Sequence, residues 1–128
     1  MLVWQDFPSI TDTINMEKAN SITKDVFKNE AKVWMNQLRN HPSIILWVVF
    51  NEGWGQHDTI KLTSLVMEAD PSRLVTCASG WTDHPVGHVV DVHSYPGPVK
   101  NIKMLFFKEK VSCFDISINL YFHSALCC

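Results

Sequence analysis

The sequence predicts an α/β domain built around a parallel sheet, and three observations carry that expectation. Segments of strand character alternate with segments of helical period in the order strand, helix, strand, helix, strand, strand. One of them, Ile44-Ile45-Leu46-Trp47-Val48-Val49-Phe50, is continuously apolar, which marks a strand covered on both faces. Each strand-like segment then runs into polar and aromatic residues, as strands do where an α/β fold gathers its functional loops.

The elements follow in order. Leu2 to Gln5 is a short apolar piece ended by Asp6-Phe7-Pro8. Residues 21 to 39 carry Ile22, Val26, Phe27, Val33, Trp34 and Leu38 at spacings that suit an amphipathic helix, with Lys24, Lys28, Glu30 and Lys32 on its wet side. Asn40-His41-Pro42 ends that helix, because proline disfavours helical geometry in the residue before it. After the central strand, Gly53 and Gly55 break the run, and Asp58 is placed to cap a second helix. Its apolar residues are Ile60, Leu62, Leu65, Val66 and Ala69, and Asp70-Pro71 closes it. Leu74 to Ala78 reads as the next strand and Val89 to His93 as another. Only about ten residues separate these two, which is short for a parallel crossover with its own helix.

From about residue 100 the pattern is lost. Residues 100–128 contain no glycine or proline and no clean period of either kind. They read as an ordinary terminal element or, more sharply, as a tail outside the fold, such as a truncated or mis-spliced product. The expected division is therefore residues 1–99 as the folded part and 100–128 as the tail.

Composition narrows the function classes. The chain has 128 residues, 46% hydrophobic and 19% charged, so it is long enough for one packed domain. Net charge is −2 and the eleven Lys and Arg are scattered, which argues against nucleic-acid and anionic-membrane surfaces. No apolar run approaches the roughly 18 residues of a spanning helix, and no signal-peptide pattern opens the chain. Cys77, Cys113, Cys127 and Cys128 form no C-x-x-C pair and are read as free thiols.

Several residues are candidates for chemistry. Glu52 stands directly after seven apolar residues and Asn51, at the rim of a hydrophobic layer where desolvation favours general-acid behaviour. Trp54 and Trp81 offer flat apolar faces of the kind that suit a sugar ring. His84, His88 and His93 fit no compact metal motif, since Pro85 and Gly87 interrupt them, and no metal or cofactor is expected. Gly53-Trp54-Gly55 lacks the further glycine and Lys-Ser/Thr of a phosphate loop. Asp91 is a weaker candidate for a second catalytic carboxylate, because it falls inside a predicted strand.

Arg39-Asn40-His41-Pro42-Ser43, the strand after it and Asn51-Glu52-Gly53-Trp54-Gly55 together resemble the acid/base signature of glycoside hydrolase family 2. Leu2 to Pro8 is similar to the end of that family's third barrel strand. Asp70-Pro71-Ser72-Arg73-Leu74-Val75 and Asp91-Val92-His93-Ser94-Tyr95-Pro96 are similar to the approaches to its fifth and sixth. The resemblance covers residues 1–99 and implies a partial (β/α)8 TIM barrel, roughly strands 3 to 6. It implies O-glycosyl hydrolysis of a β-linked glycoside, in carbohydrate metabolism.

By the same resemblance, Glu52 is the acid/base, Asn51 binds the sugar 2-hydroxyl, Tyr95 and His93 line the pocket, and Asp6, Trp54 and Trp81 are substrate-side residues. The retaining mechanism it implies needs a second carboxylate about 5 to 5.5 Å from the first. The family's nucleophile is a glutamate on the seventh strand, and this chain has no match to it. Beyond Tyr95 the carboxylates are Glu109 and Asp115, and Glu109 lies between two lysines with no strand before it. The expectation is a chain that is catalytically silent alone. The alternatives are a carbohydrate-binding fragment without catalysis and an incomplete product that does not fold stably.

Overall fold

The computed structural model describes residues 1–8 and 21–93, and for residues 21 and 22 the backbone only. Residues 9–20, ahead of the first helix, and residues 94–128, which include Tyr95 and the tail, lie outside the described residues. Within them the order is β1 (Val3–Asp6), α1 (Ser21–Leu38), β2 (Ile44–Val48), α2 (Thr59–Ala69) and β3 (Leu74–Thr76). The strands form one parallel sheet in the order β1-β2-β3.

The sheet is apolar on both sides, as the unbroken run of β2 requires. Trp47 and Val49 face one layer with Phe27, Ala31 and Met35 of α1, Leu62 and Val66 of α2, and Val75. Leu46 and Val48 face the other side with Val89, Trp4 and Ile45. Trp47 is fully buried, stacks on Phe7 at 5.8 Å and donates its indole N–H to Asp70 Oδ2 at 3.0 Å. Full burial of such side chains contributes about 1.5–3 kcal/mol each.

On α1 the buried stripe is Phe27, Ala31 and Met35, spaced four residues apart, flanked by Trp34 and Leu38. Val26 and Val33, expected among its apolar contacts, are about half exposed at 47% and 53%. Their seven-residue spacing puts them together on the flank of that stripe. In α2 the burial falls on Leu62 and Val66, while Ile60 is exposed.

Asp58 does not cap α2 as expected. Its backbone is left-handed at φ 43°, its side chain makes no cap hydrogen bond, and its carboxylate lies 3.0 Å from Lys24 Nζ. A left-handed residue aims its side chain away from the first-turn amides, so the ion pair takes the carboxylate. That pair, with burial opposing it, holds the Asp58 carboxyl below its ordinary range.

The fourth strand is reduced to a single parallel bridge between Thr76 and Val89. The ladder cannot extend because β3 itself stops at Thr76, two residues short of the expected end, and the chain bends at Cys77 and Ala78. Residues 77–88 contain no helix, so a short irregular connection returns the chain parallel. This accounts for the ten-residue gap. His88 holds the return on β3, donating its amide to Val75 O at 2.7 Å and accepting Val75 N–H on Nδ1 at 3.1 Å.

At the amino ends of β2 and β3, Arg73 gathers the chain. Its guanidinium donates to Asp70 Oδ2 at 2.6 Å, Ile44 O at 2.8 Å, Arg39 O at 2.6 Å and His41 O at 3.2 Å. It also lies 5.5 Å over the Trp47 ring. This clamp ties Arg39 and His41, ahead of β2, to Asp70 and Arg73, ahead of β3.

Candidate active site

The parallel register brings the carboxyl ends of the strands to one edge. Asp6 pairs with Val48, and Phe7 N–H donates to Val48 O. One turn onward, Asn51 bridges Ser79 and Glu52 N–H donates to Ser79 O at 2.8 Å. The chain then reverses sharply, with Glu52 at φ 49° and Gly53 at φ 71°, and Trp54 N–H closing on Asn51 O. A glutamate in the left-handed region costs about 1–2 kcal/mol, and the ladder on one side and the glycine on the other hold it there.

Glycine at 53 is required twice, by its positive φ and by Trp81, whose indole ring lies where a Cβ would stand. Gly80 leaves the same kind of room for the His93 ring. Gln56 fastens the two loops together, donating to Thr82 O at 2.8 Å and to Thr59 Oγ1 at 3.2 Å.

Around Glu52 the side chains form a line. Glu52 Oε1 lies 3.0 Å from His93 Nδ1, His93 Nε2 lies 3.0 Å from Ser79 Oγ, and Ser79 Oγ donates to Asp91 Oδ2 at 2.6 Å. Asp91 Oδ1 accepts from Thr76 Oγ1 at 3.2 Å. The Glu52 side chain keeps 31% exposure, against 19% for His93 and 13% for Asp91, so the line opens to solvent at the glutamate end.

Two nearby carboxyl groups, those of Asp6 and Asp83, are raised. Asp6, at the end of β1, is pushed up by enclosing protein and by the Asp91 charge, with His93 opposing. Asp83 is pushed up to about 6 by burial and by Asp91, while a hydrogen bond from Cys77 and the charge of His84 pull it down. The Cys77 thiol is raised chiefly by burial.

Of the residues expected from sequence, Glu52 and His93 are in direct contact and Asp6 faces His93 across the same edge. Trp81 is packed on Gly53 and remains 56% exposed, while Trp54 is 38% exposed on the outside of the same turn. Asn51 is half-buried on the ladder between them. An open groove of about 650 Å³ lies beside the turn, lined by Gly53, Gln56, His57, Lys61, Trp81 and His84. A second cavity of about 460 Å³ lies at the amino ends of β2 and β3, among Pro42, Ile44, Arg73 and His88, away from these groups.

Ser79 and Thr76 are not singled out by the sequence, and Asp91, expected inside a strand, follows the single bridge at Val89. Both Asp91 oxygens accept hydroxyl hydrogens, and the His93 ring stands between it and Glu52. A two-residue alternation could have shown it: Asp91 and His93 turn inward while Val90 and Val92 are exposed at 59% and 62%.

Residues 1–107 match the family model described as glycosyl hydrolases family 2, TIM barrel domain. Over 102 residues the chain is 30% identical to β-mannosidase B of Emericella nidulans. That match covers 80% of this chain and 11% of the relative, so the chain spans about a tenth of that protein's length.

Proposed function

Because the chain belongs to glycosyl hydrolase family 2, within its TIM-barrel domain, we propose that it carries the acid/base half of a retaining β-glycosidase site, with Glu52 as the proton donor. The observation that supports this most is Glu52 itself. It sits at the carboxyl edge of a parallel sheet, on a left-handed turn, with its carboxyl group on an imidazole and open to solvent.

On this reading Glu52 gives its proton to the leaving glycosidic oxygen and later takes one from the attacking water. Asn51, one residue before it, meets the sugar 2-hydroxyl. Trp54 and Trp81 flank the turn as apolar platforms, and Asp6, His93 and Tyr95 complete the substrate side. The domain these residues serve is roughly strands 3 to 6 of the family barrel. A β-mannoside is the first substrate to try, because the relative is a β-mannosidase.

Asp91 does not serve as nucleophile, since its oxygens are engaged and an imidazole separates it from Glu52. The reading therefore assigns the second carboxylate to sequence outside this chain, and the 128 residues alone bind sugar without hydrolysing it. Purified chain offered aryl β-mannosides and β-galactosides should release no phenol above background, while the parent sugars quench Trp54 and Trp81 fluorescence. Steady turnover would overturn the assignment of an external nucleophile. Absence of both turnover and quenching would overturn the sugar-site reading.

A further inference from the structure

The line of contacts from Asp91 to Glu52 can be audited for hydrogens. Its three links, Asp91 to Ser79 at 2.6 Å, Ser79 to His93 at 3.0 Å and His93 to Glu52 at 3.0 Å, each need one hydrogen. A serine hydroxyl brings one and a neutral imidazole brings one, whereas ionised carboxylates bring none. Two hydrogens cannot fill three links. The Ser79 hydrogen goes to Asp91, whose other oxygen already accepts from Thr76. The Ser79 oxygen can then only accept, so His93 Nε2 must carry a hydrogen toward it. Nε2 also lies 3.4 Å from Asp91 Oδ2, a second acceptor for the same hydrogen.

We propose that Glu52 and His93 jointly hold one extra proton on the Nδ1 to Oε1 contact, and that Ser79 and Asp91 keep it there by fixing hydrogen on the far nitrogen. His93 is thus a positioning residue that stores the acid's proton. The cluster of Glu52, His93 and Asp91 carries a charge of −1, not −2. The groups facing the imidazole favour this: Asp6 from β1, Glu52 after β2, and Asp91 after β3, with Asp83 and His84 acting on them from the intervening loop.

The catalytic meaning rests on the reading of Glu52 as acid/base. With the proton on Glu52 Oε1, the carboxyl group is neutral and its hydrogen faces Nδ1, and a turn of the partly exposed carboxyl group carries that hydrogen to the open side, where it meets the leaving oxygen. When that proton passes to the leaving oxygen, His93 is left neutral with hydrogen on Nε2. Glu52 is then ionised, the state that accepts a proton from water. One site alternates between acid and base without a proton crossing the domain.

Nitrogen and carbon NMR on the labelled full chain tests this without turnover. The His93 ring signals are assigned by their loss in His93→Gln. At pH 7, His93 is expected to show hydrogen on both ring nitrogens, or hydrogen on Nε2 with the Glu52 carboxyl protonated. Asp91→Asn keeps the shape and removes the charge, and should let the proton leave at a pH lower by roughly one unit or more, the usual reach of a charge at this distance. Ser79→Ala should lower it by less, since Asp91 remains near Nε2. A neutral His93 ring beside an ionised Glu52 at pH 7 overturns the proposal. So does a titration unchanged by Asp91→Asn, or one like free imidazole, whether the chain is folded or not. Failure of sugar binding with the extra proton present would count against the glycosidase reading alone.

Discussion

Replacing Arg73 by methionine removes the clamp that sets the two central strands, and its cost can be worked from the contacts. The Arg73 and Asp70 side chains are 10% and 9% exposed, and their contact is 2.6 Å. Arg73→Met keeps an apolar side chain but removes the guanidinium over Trp47, and leaves Asp70 with only the Ser72 and Trp47 hydrogens. Breaking a buried pair by removing one partner costs about 3–5 kcal/mol. The carbonyls of Arg39 and His41 lie on exposed residues and can be rehydrated, whereas the carbonyl of buried Ile44 loses the Arg73 Nε hydrogen and adds to that figure. Against a domain stability of about 5–15 kcal/mol the loss is large. Urea unfolding followed by tryptophan fluorescence should show the midpoint fall with the slope unchanged.

The pH dependence provides a second check. Burial raises the Asp70 carboxyl, but the hydrogen bonds of Ser72, Trp47 and Arg73 outweigh it and hold the group below its ordinary range. Stability from this group is therefore fully present above the unfolded value, about 3.9, and is lost as pH falls through the lower folded value. In Arg73→Met the folded value moves back toward the unfolded one, so the stability this group loses in acid should shrink. The double variant Asp70→Asn with Arg73→Met should be less damaged than Arg73→Met alone, because no buried charge is left unpartnered. A loss below about 1 kcal/mol in Arg73→Met, the size of a surface ion pair, would refute this account of the clamp.

Other expected outcomes follow from single positions. Gly53→Ala meets both a left-handed backbone, worth about 1–2 kcal/mol, and the Trp81 ring. It should shift tryptophan emission and abolish sugar quenching while the chain still melts cooperatively. Asp83 is raised to about 6 in the folded chain, so its ionisation disfavours folding, and stability should fall as pH rises from the unfolded value near 4 through 6. Melts at pH 4.5 and 7 should differ less in Asp83→Asn. Asp58→Gly should cost less than about 1 kcal/mol in a thermal melt, because the side chain gives no cap and glycine suits φ 43°, whereas loss of a working cap costs about that much.

The elements of this fold were legible because their signals are local. The seven apolar residues from Ile44 to Phe50, which contain β2, could be read as a doubly covered strand without knowing what covered them, and Pro42 and Pro71 marked helix ends through backbone sterics. What failed depended on partners. Val89 to His93 has strand composition, but a strand needs a neighbouring ladder, and β3 supplies one bridge. Asp58 has the residue type of a cap, but Lys24, more than thirty positions away, takes its carboxylate. Glu52 was visible from its place after the apolar run and His93 through a family resemblance, whereas Ser79 entered only when the register placed it between His93 and Asp91.

The assignment of Glu52 is tested most directly by a reagent that reacts where the glycosidic oxygen would lie. An N-bromoacetyl β-glycosylamine of the quenching sugar places an electrophilic carbon there, and the acid/base carboxylate displaces its bromide to form an ester. Peptide mapping by mass spectrometry should find the label on Glu52, suppressed by excess parent sugar and absent in Glu52→Gln. Sugar-independent labelling of other residues, with Glu52 unmodified, would contradict the account.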